Sequence, residues 1–260
     1  MSKVIIDADV VAYMSASAAV NDEEVDVWGE GVAQSQSHNA TTRAINMVES
    51  WAELADTSVI RLAFSGPSDK NFRRRVHPLY KAQRATEKPE GYSDVVNVLK
   101  DRYDWRQYPS LEGDDILGMH MGQGWTAVST DKDMQTVPGK FIRVRTTGDV
   151  DRFDSSEYTA NRFWMWQTLV GDPVDNYKGC PGCGRKGADV LLNNIYSKNG
   201  YIMWDNVVRR YEQAWNKPAS QKKFVTGHPY DEALMNARAA RILRDGEYNY
   251  DFDEVELWTP

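Results

Sequence analysis

The sequence predicts an α/β domain followed by a helical region, and three observations support this prediction. Short apolar runs rich in β-branched residues alternate with stretches of helical spacing over the first 150 residues, which is typical of a mostly parallel sheet flanked by helices. After about residue 155 the strand-like runs stop and only helical spacing remains. The 260 residues are 41% hydrophobic and 27% charged, which suits one large folded domain or a domain with a helical appendage and excludes disordered and collagenous proteins.

The elements follow one another along the chain. The short apolar runs are predicted strands, at 3–7, 58–65, 125–129 and 141–144. Helical spacing predicts helices in both halves, at 41–54, 92–103, 157–170, 187–195, 203–215 and 231–244. The polar stretch 34–39 is predicted to be a loop.

Charge and composition exclude some classes of protein and some locations. The net charge of −7 excludes a protein coated uniformly in basic side chains, although a local basic patch can still bind nucleic acid. No stretch reaches the ~18–20 apolar residues of a membrane span, and the N-terminus runs directly into a strand without a secretory apolar segment. Two cysteines do not make a disulfide framework and indicate a reducing compartment. We therefore expect no association with a membrane.

Acidic residues follow the predicted strands. Asp7 and Asp9 come after the first strand, Asp131 and Asp133 follow 125–129, and the acidic group 112–115 opens a helix. Because sites in parallel sheets form outside the carboxyl ends of the strands, these acids are expected to converge. Carboxylates without His or Cys favour Mg²⁺ or Mn²⁺, and two such ions are the usual arrangement for cutting a phosphodiester. The alternative is that the acids are helix caps and turn residues.

A basic stretch and a glycine-rich stretch indicate nucleic-acid binding. In 71–84, Arg73, Lys81 and Arg84 interleave with the aromatic Phe72 and Tyr80, so cations can neutralise phosphates while aromatic rings stack on bases. The alternative is a solvated basic helix face.

The stretch 179–184 reads Gly-Cys-Pro-Gly-Cys-Gly and precedes Arg185 and Lys186. It predicts a helix-hairpin-helix whose backbone N–H groups approach phosphates. A redox or zinc role for Cys180 and Cys183 would need a partner pair or a strand–helix context that the sequence lacks.

Taken together, the motifs resemble the 5′-nuclease superfamily, which comprises the flap endonucleases and the 5′→3′ exonuclease domains of bacterial DNA polymerases. The motifs are Phe-Arg-x₆-Tyr-Lys-x₂-Arg at 72–84, LEGDD at 111–115, STDKDM at 129–134, GDPVDN at 171–176 and GCPGCGRKGA at 179–188. The stretch ARILRDGEYN at 240–249, followed by LW at 257–258, is most similar to the 5′→3′ exonucleases of T7-type bacteriophages.

The resemblance implies an architecture and an activity. It implies a PIN-like α/β core in residues 1–150, with a basic helical arch at 66–90, and a helical DNA-binding region in 151–260, with a helix-hairpin-helix near 172–195. It implies an exonuclease and flap endonuclease that uses two Mg²⁺ or Mn²⁺ ions to cut duplex DNA from 5′ ends or flaps. Removal of RNA primers from RNA–DNA hybrids in phage replication is also implied, by a monomer in the cytoplasm of the infected bacterial host.

Site residues carried over by motif fall into three groups. The implied metal ligands are Asp7, Glu112, Asp114, Asp115, Asp131, Asp133, Asp172 and Asp175. The implied catalytic residues are Lys81 and Arg84, which would contact the scissile phosphate, together with Asp7 and Asp115. The implied DNA-binding residues are Arg73, Tyr80, Gly179, Gly182, Gly184 and Lys186, and the hairpin carbonyls would hold a monovalent cation such as K⁺.

The sequence departs from the family pattern at one place and leaves two other functions open. The family usually has an Asp just after the second strand, where this chain has Phe64-Ser65-Gly66, and Asp69 is the nearest acid. Asp9 could be a helix cap, a ligand or an outer-shell acid. A phosphatase of the haloacid-dehalogenase type would make Asp7 a covalent nucleophile and Asp9 its acid–base partner. A non-catalytic DNA-structure-binding protein would use the arch and hairpin alone.

Overall fold

The computed structural model of the chain describes residues 2–21, 32–83, 87–193 and 200–260. Its main sheet has six strands, β1 (Val4–Asp7), β2 (Ile60–Phe64), β3 (Asp104–Gln107), β4 (Thr126–Ser129), β5 (Gly139–Val144) and β6 (Val150–Ser155). Their order is β3-β2-β1-β4-β5-β6, and all neighbours are parallel except β5 and β6. The strand order reverses between β1 and β4, which is where a site forms in an open parallel sheet.

Helices cover both faces of the sheet. They are α1 (Ala8–Asn21), α2 (Val32–Leu54), α3 (Arg73–Val76), α4 (Tyr92–Arg102), α5 (Gly113–Gly122) and a 3₁₀ helix (Lys132–Thr136). All four residues of β1 are buried, so Val4, Ile5 and Ile6 form a continuous apolar run rather than an alternating pattern, and Asp7 ends the strand. Ile6 belongs to the core cluster of α1, α2 and α4, and Ile5 belongs to the cluster of α5 on the other face.

The second half of the chain forms a helical core of its own. Its helices are α6 (Glu157–Val170), α7 (Arg185–Asn193), α8 (Gly200–Trp215), α9 (Pro218–Gln221) and α10 (Pro229–Ala240), followed by a ribbon of β7 (Tyr248–Asn249) and β8 (Glu254–Val255). Ser156 caps α6 by accepting the N–H of Thr159. Trp164, Trp204 and Tyr211 are buried where α6, α8 and α10 meet.

The structure confirms the predicted α/β architecture with a mainly parallel sheet, and it corrects several elements. Residues 34–39 lie within α2, so the predicted loop is wrong. Helix α10 ends at Ala240 rather than 244 because Arg241 is extended and Leu243 N donates to Asp115. Strands β3 and β6 and helix α1 were not predicted. None of the helices in the described part of the chain combines the length and apolar character that a membrane span requires.

Candidate active site

Acidic side chains meet where β1 and β4 end. Asp7 is the last residue of β1 and is 5% exposed. Ser129, the last residue of β4, donates its hydroxyl to Asp7 Oδ2 at 2.8 Å and accepts the N–H of Asp131 at 3.1 Å. Asp131 in turn accepts the N–H of Asp133 at 2.8 Å and so caps the 3₁₀ helix. The parallel register of β1 and β4 therefore brings three of the predicted acids to one edge.

The N-terminus of α5 brings a second group of acids to the same edge. Glu112 is the N-cap of this helix, and its N–H donates to Asp115 Oδ2 at 3.2 Å. Gly113 N donates to Ser65 Oγ at 2.9 Å, which ties the helix to the end of β2. Asp114 follows and interacts electrostatically with Asp131 and Asp7.

Arg73 organises this helix terminus from within the protein. The residue is 2% exposed, and each of the five N–H groups of its guanidinium has an acceptor. Nη1 and Nη2 donate to Asp115 at 2.7 and 2.6 Å, Nη1 also donates to Glu112, and the remaining donors reach the carbonyls of Ala239 and Arg241. Asp115 is fully buried and also accepts the N–H of Leu243. Both oxygens of Asp115 are therefore engaged by the protein itself.

The basic segment 77–83 docks on the loop 172–177. Lys81 N donates to the carbonyl of Asp175 at 2.9 Å, and the Lys81 ammonium pairs with Glu112 and lies 3.6 Å from Asp175 Oδ2. Tyr80 is 3% exposed and donates its hydroxyl to Glu112 and Asp175 at 2.8 and 2.9 Å. Lys81 holds a left-handed backbone at φ 51°, which is uncommon for a side chain of its size and is typical of functional sites.

Burial and like charge raise the pKa of several of these carboxyls. Burial, then the neighbouring Asp9 and Asp131, raise the pKa of Asp7 to about 7. Burial and Asp131 likewise raise the pKa of Asp133 to about 7, and burial with Asp131 and Asp7 raises the pKa of Asp114 well above its usual range. Glu112 differs from these acids. Burial acts to raise its pKa, but the charges of Lys81 and Arg73 outweigh burial and lower the pKa to about 2.

The donor set fits hard divalent cations. Asp133 Oδ1 is buried and has no hydrogen-bond partner, and leaving a buried acceptor unpaired is costly unless a ligand pairs with it. Lys132 Nζ lies 3.6 Å from this oxygen and 3.4 Å from Asp172 Oδ2. Among the residues that the structure describes, no three His, Cys, Asp or Glu side chains are already arranged around a metal position. The oxygen-only donors and the surplus of negative charge suit a hard divalent cation.

The carboxylate of Asp9 lies beside the end of β2, where this sequence has Ser65 in place of the acid usual in the family. Its Oδ2 accepts the N–H of Ser65 at 2.7 Å, and its Oδ1 accepts the hydroxyl of Tyr92 at 3.0 Å. The carboxylate thus bridges the ends of β1 and β2 although it belongs to α1. Asp69, the alternative acid, is exposed in a turn.

The glycine stretch forms the loop between α6 and α7. Gly182 and Gly184 are exposed, and Gly182 has a left-handed backbone at φ 72° with its carbonyl accepting Arg210 Nη2 at 2.7 Å. Cys180 and Cys183 are both buried free thiols, and burial raises the pKa of each. Such thiols are poor nucleophiles and poor metal ligands.

Three predicted DNA-binding residues are placed elsewhere by the structure. Arg73 and Tyr80 are buried in the ion-pair network described above, so their side chains face protein rather than solvent. Gly179 is buried, its N–H donates to Asn236, and a Cβ there would come within 2.4 Å of Gly171 N. Its role is close packing of the loop on α6. Lys186 is exposed at the start of α7 as expected, and Arg84 lies outside the described residues.

Sequence reasoning missed four polar residues of the site. They are Ser129, Tyr92, Lys132 and Arg210, which contact predicted residues through hydrogen bonds or ion pairs. Ser129 and Lys132 lie inside the quoted STDKDM motif, so their position next to the acids was visible. Tyr92 and Arg210 are far away in sequence and only folding brings them in.

Comparisons with known proteins identify near-full-length relatives. No family model matches the chain. The exodeoxyribonuclease of Enterobacteria phage T3 is 29% identical over 286 aligned positions, which cover 98% of this chain and 92% of that protein. The exonuclease of Escherichia phage T7 is 28% identical, and the alignment covers 98% of this chain and 93% of that protein.

Solved structures share the fold at lower identity. The T5 D15 protein co-crystallised with metal ions matches with a TM-score of 0.55 and 15% identity, over 91% of this chain and 100% of that one. The bacteriophage T5 D15 flap endonuclease in a pseudo-enzyme–product complex with DNA and metal ions matches with a TM-score of 0.52 and 14% identity. The match covers 91% of this chain and 99% of that one.

Proposed function

We propose that this chain, which belongs to the 5′-nuclease superfamily, cuts nucleic acid at the acidic edge of its sheet. It has the PIN-like fold of that superfamily. The proposed function is that of a 5′→3′ exonuclease, as the names of its phage relatives suggest, and of a flap endonuclease. The observation that supports this location is the undercompensated charge of Asp7, Asp114 and Asp133, whose pKa values are raised by burial and by neighbouring acids. Carboxylates held in this way are poised for cations.

Two divalent ions, most simply Mg²⁺, would be held by the acids of this edge. The proposed ligands are Asp7, Glu112, Asp114, Asp131, Asp133, Asp172 and Asp175. Such ions activate water and stabilise charge on the phosphate oxygens when they are bound. Asp115 contributes differently, because Arg73 and Leu243 already occupy its oxygens. We propose that Asp115 holds the Arg73 guanidinium in place, and that Arg73 in turn orients Glu112.

Lys81 is proposed to contact the scissile phosphate. Its side chain is mostly buried, with the ammonium between Glu112 and Asp175, two acids of the proposed metal set. If those acids held cations, they would no longer neutralise the ammonium, which could then pair with the phosphate. Arg84 is proposed to act beside it. A cation that pairs with the phosphate most strongly in the transition state accelerates hydrolysis.

The loop 179–184 and Lys186 are proposed to hold the duplex by its backbone, as a helix-hairpin-helix does. An N–H at the start of α7 favours an anion through its position at a helix N-terminus. A K⁺ ion on the loop carbonyls would have to share Gly182 O with the Arg210 guanidinium. RNA–DNA hybrids, such as primers in phage replication inside the infected host, are proposed as further substrates of a monomeric enzyme.

The acidic site is tested by digesting duplexes labelled at the 5′ or 3′ end, with Mg²⁺ and with EDTA. We expect early release of the 5′ label in Mg²⁺, cutting of a 5′-flapped duplex, and no cutting in EDTA. An RNA–DNA hybrid with a 5′ RNA segment tests primer removal. The phosphatase alternative predicts instead that small phosphate monoesters are the better substrates, and the non-catalytic alternative predicts binding without cleavage.

The loop is tested by Gly184→Val. A Cβ at Gly184 has nothing within 4 Å, and Gly184 lacks the left-handed backbone of Gly182. A branched side chain there should leave the fold intact while blocking the approach of a phosphate, so the Kd for duplex should rise several-fold. Unchanged duplex affinity across a salt titration would show that the loop only connects α6 and α7.

A further inference from the structure

The segment after α8 carries an exposed cluster of positive charge. Residues 217–223 read Lys-Pro-Ala-Ser-Gln-Lys-Lys, with three lysines and no acid. Lys217, Lys222 and Lys223 are all exposed, and we call these three residues the lysine platform. A surface patch with one sign of charge attracts ligands of the opposite sign and raises their rate of association.

The platform has a well-packed base. Phe224, the next residue, is 9% exposed, and its ring centroid lies 5.1 Å from that of Trp215 and 6.2 Å from that of Tyr211. Backbone hydrogen bonds from Ser220 N to Lys217 O at 2.8 Å and from Lys223 N to Ser220 O at 2.9 Å fold the segment into consecutive turns. The lysines therefore extend from ordered backbone, so a ligand need not order the chain in order to bind.

The platform adjoins the glycine loop. Lys223 and Lys178 line, together with residues 179–184, a concavity of about 430 Å³. The exposed Gly182 and Gly184 stand on the same surface. Within the described ranges, no carboxylate forms a salt bridge with Lys178, Lys222 or Lys223. Their charge is available to an external anion.

We propose that the lysine platform, together with Lys178, is a second contact surface for the phosphate backbone of duplex DNA, adjoining the glycine loop. The inference rests on the proposed function, since it takes duplex DNA as the substrate. Each ammonium neutralises a phosphate and releases counterions, which makes binding salt-dependent without reading sequence. The platform lengthens the stretch of duplex that the enzyme holds and takes no part in the chemistry.

The test is a salt titration of duplex binding, in EDTA to prevent cleavage, for wild type and Lys222→Gln/Lys223→Gln. Each phosphate contact contributes about 0.9 to the slope of log K against log salt, so the double variant should lose about 1.8 from the slope. Between 50 and 200 mM salt, wild type should then lose about tenfold more affinity than the variant does, by the same relation.

A matched control removes two exposed lysines at the amino ends of the sheet strands, at the end of the sheet opposite the acidic site. Lys3→Gln/Lys140→Gln changes the net charge equally, and both lysines are exposed at the amino ends of β1 and β5. The control should keep the wild-type slope. Equal slopes in wild type and the platform variant, or the same loss in both double variants, would overturn the proposal.

Cleavage separates this inference from the proposed function. The single-turnover rate of Lys222→Gln/Lys223→Gln at saturating enzyme should equal that of wild type, because the platform lies outside the acidic site. A normal rate with an unchanged salt slope would refute the platform alone. Absence of cleavage by wild type in Mg²⁺ would refute the proposed function instead.

Discussion

The amino ends of the main-sheet strands form one edge of the sheet, the amino edge, and their carboxyl ends form the other, the carboxyl edge. Both edges carry charged residues, and the charge is compensated differently at each. At the amino edge, Arg61 and Arg106 each lie 2.6 Å from an oxygen of Asp104, and they lower its pKa although burial opposes them. Arg61 also lies over the ring of Trp125 at 4.5 Å. At the carboxyl edge, burial and neighbouring acids raise the pKa of Asp7 and Asp133 to about 7.

Under the proposed function, this difference separates a structural cluster at the amino edge from a metal-binding cluster at the carboxyl edge. Where charge stabilises the fold, partners of opposite sign come from the protein itself, as they do for Asp104. Where a ligand is to supply the opposite charge, the protein leaves the acids undercompensated and accepts the resulting loss of stability. Both kinds of acid occur at the N-terminus of α5. Arg73 neutralises Asp115, whereas the neighbouring Asp114 faces the like charges of Asp131 and Asp7.

Removing an acid from the carboxyl edge should have the largest effect. Asp131→Asn takes away a proposed ligand and a repelling charge, so single-turnover cleavage should fall by at least ~10²–10³-fold, on the scale of other lost electrostatic stabilisers. Binding of DNA should be unchanged or tighter. A rate within tenfold of wild type would contradict the placement of Asp131 in the metal site.

Lys81 tests whether a cation at this edge serves the fold or the reaction. If its ammonium moves to the reacting phosphate, Lys81→Ala should lower the single-turnover rate at saturating enzyme by ~10²-fold or more. If it only contacts phosphate in the ground state, binding weakens and the salt slope falls by about one while the saturated rate stays the same. We expect the first result, and a wild-type saturated rate would return Lys81 to a binding role.

Stability should depend on pH with opposite sign at the two edges. The folded-state pKa of Asp7 and of Asp133 is about 7, above the unfolded value of ~3.9. The folded protein therefore holds more protons between those values, and stability is lost as the pH rises through 7. The folded-state pKa of Asp104 is lowered, so its contribution is present above the unfolded pKa and lost as the pH falls.

Thermal unfolding in EDTA checks the sign at the carboxyl edge. Between pH 6.5 and 8 the Tm should fall by a few degrees. The lowered pKa of the buried His77 and His120 makes a smaller contribution of opposite sign near pH 6.5, because the unfolded histidines still bind protons there. Asp133→Asn should show a smaller fall, and Mg²⁺ should raise the wild-type Tm most at pH 8. A Tm that rises across this range in EDTA would contradict the raised pKa values.

The smallest effect is expected at the amino edge. Asp104→Asn removes an ion pair whose carboxylate side chain is 48% exposed, so stability should fall by about 1 kcal/mol or less. The rate of cleavage should not change, because this edge lies at the other end of the strands. A cleavage defect comparable with that of Asp131→Asn would break the distinction between the two edges.

The sequence alone determined that an α/β half precedes a helical half, and it determined the edge at which the acids meet. Apolar runs that end in acid predict both a parallel strand and the position of its last carboxylate, because the carboxyl ends of parallel strands lie at one edge. Asp7, Asp131 and Asp133 follow this rule. The helix 157–170 was predicted to the residue, because Ser156 is an N-cap and Gly171 ends the helix.

Only the tertiary structure decided which charged residues face solvent and which face one another. Arg73, Lys81 and Arg84 look alike in sequence, yet Arg73 is buried because Asp115 and two distant carbonyls satisfy its donors. Gly179 and Gly184 belong to one motif, yet only Gly179 packs against the backbone of Gly171. Asp9 reaches the end of β2 through partners 56 and 83 residues away. Such pairings depend on contacts between distant segments, which local spacing does not encode.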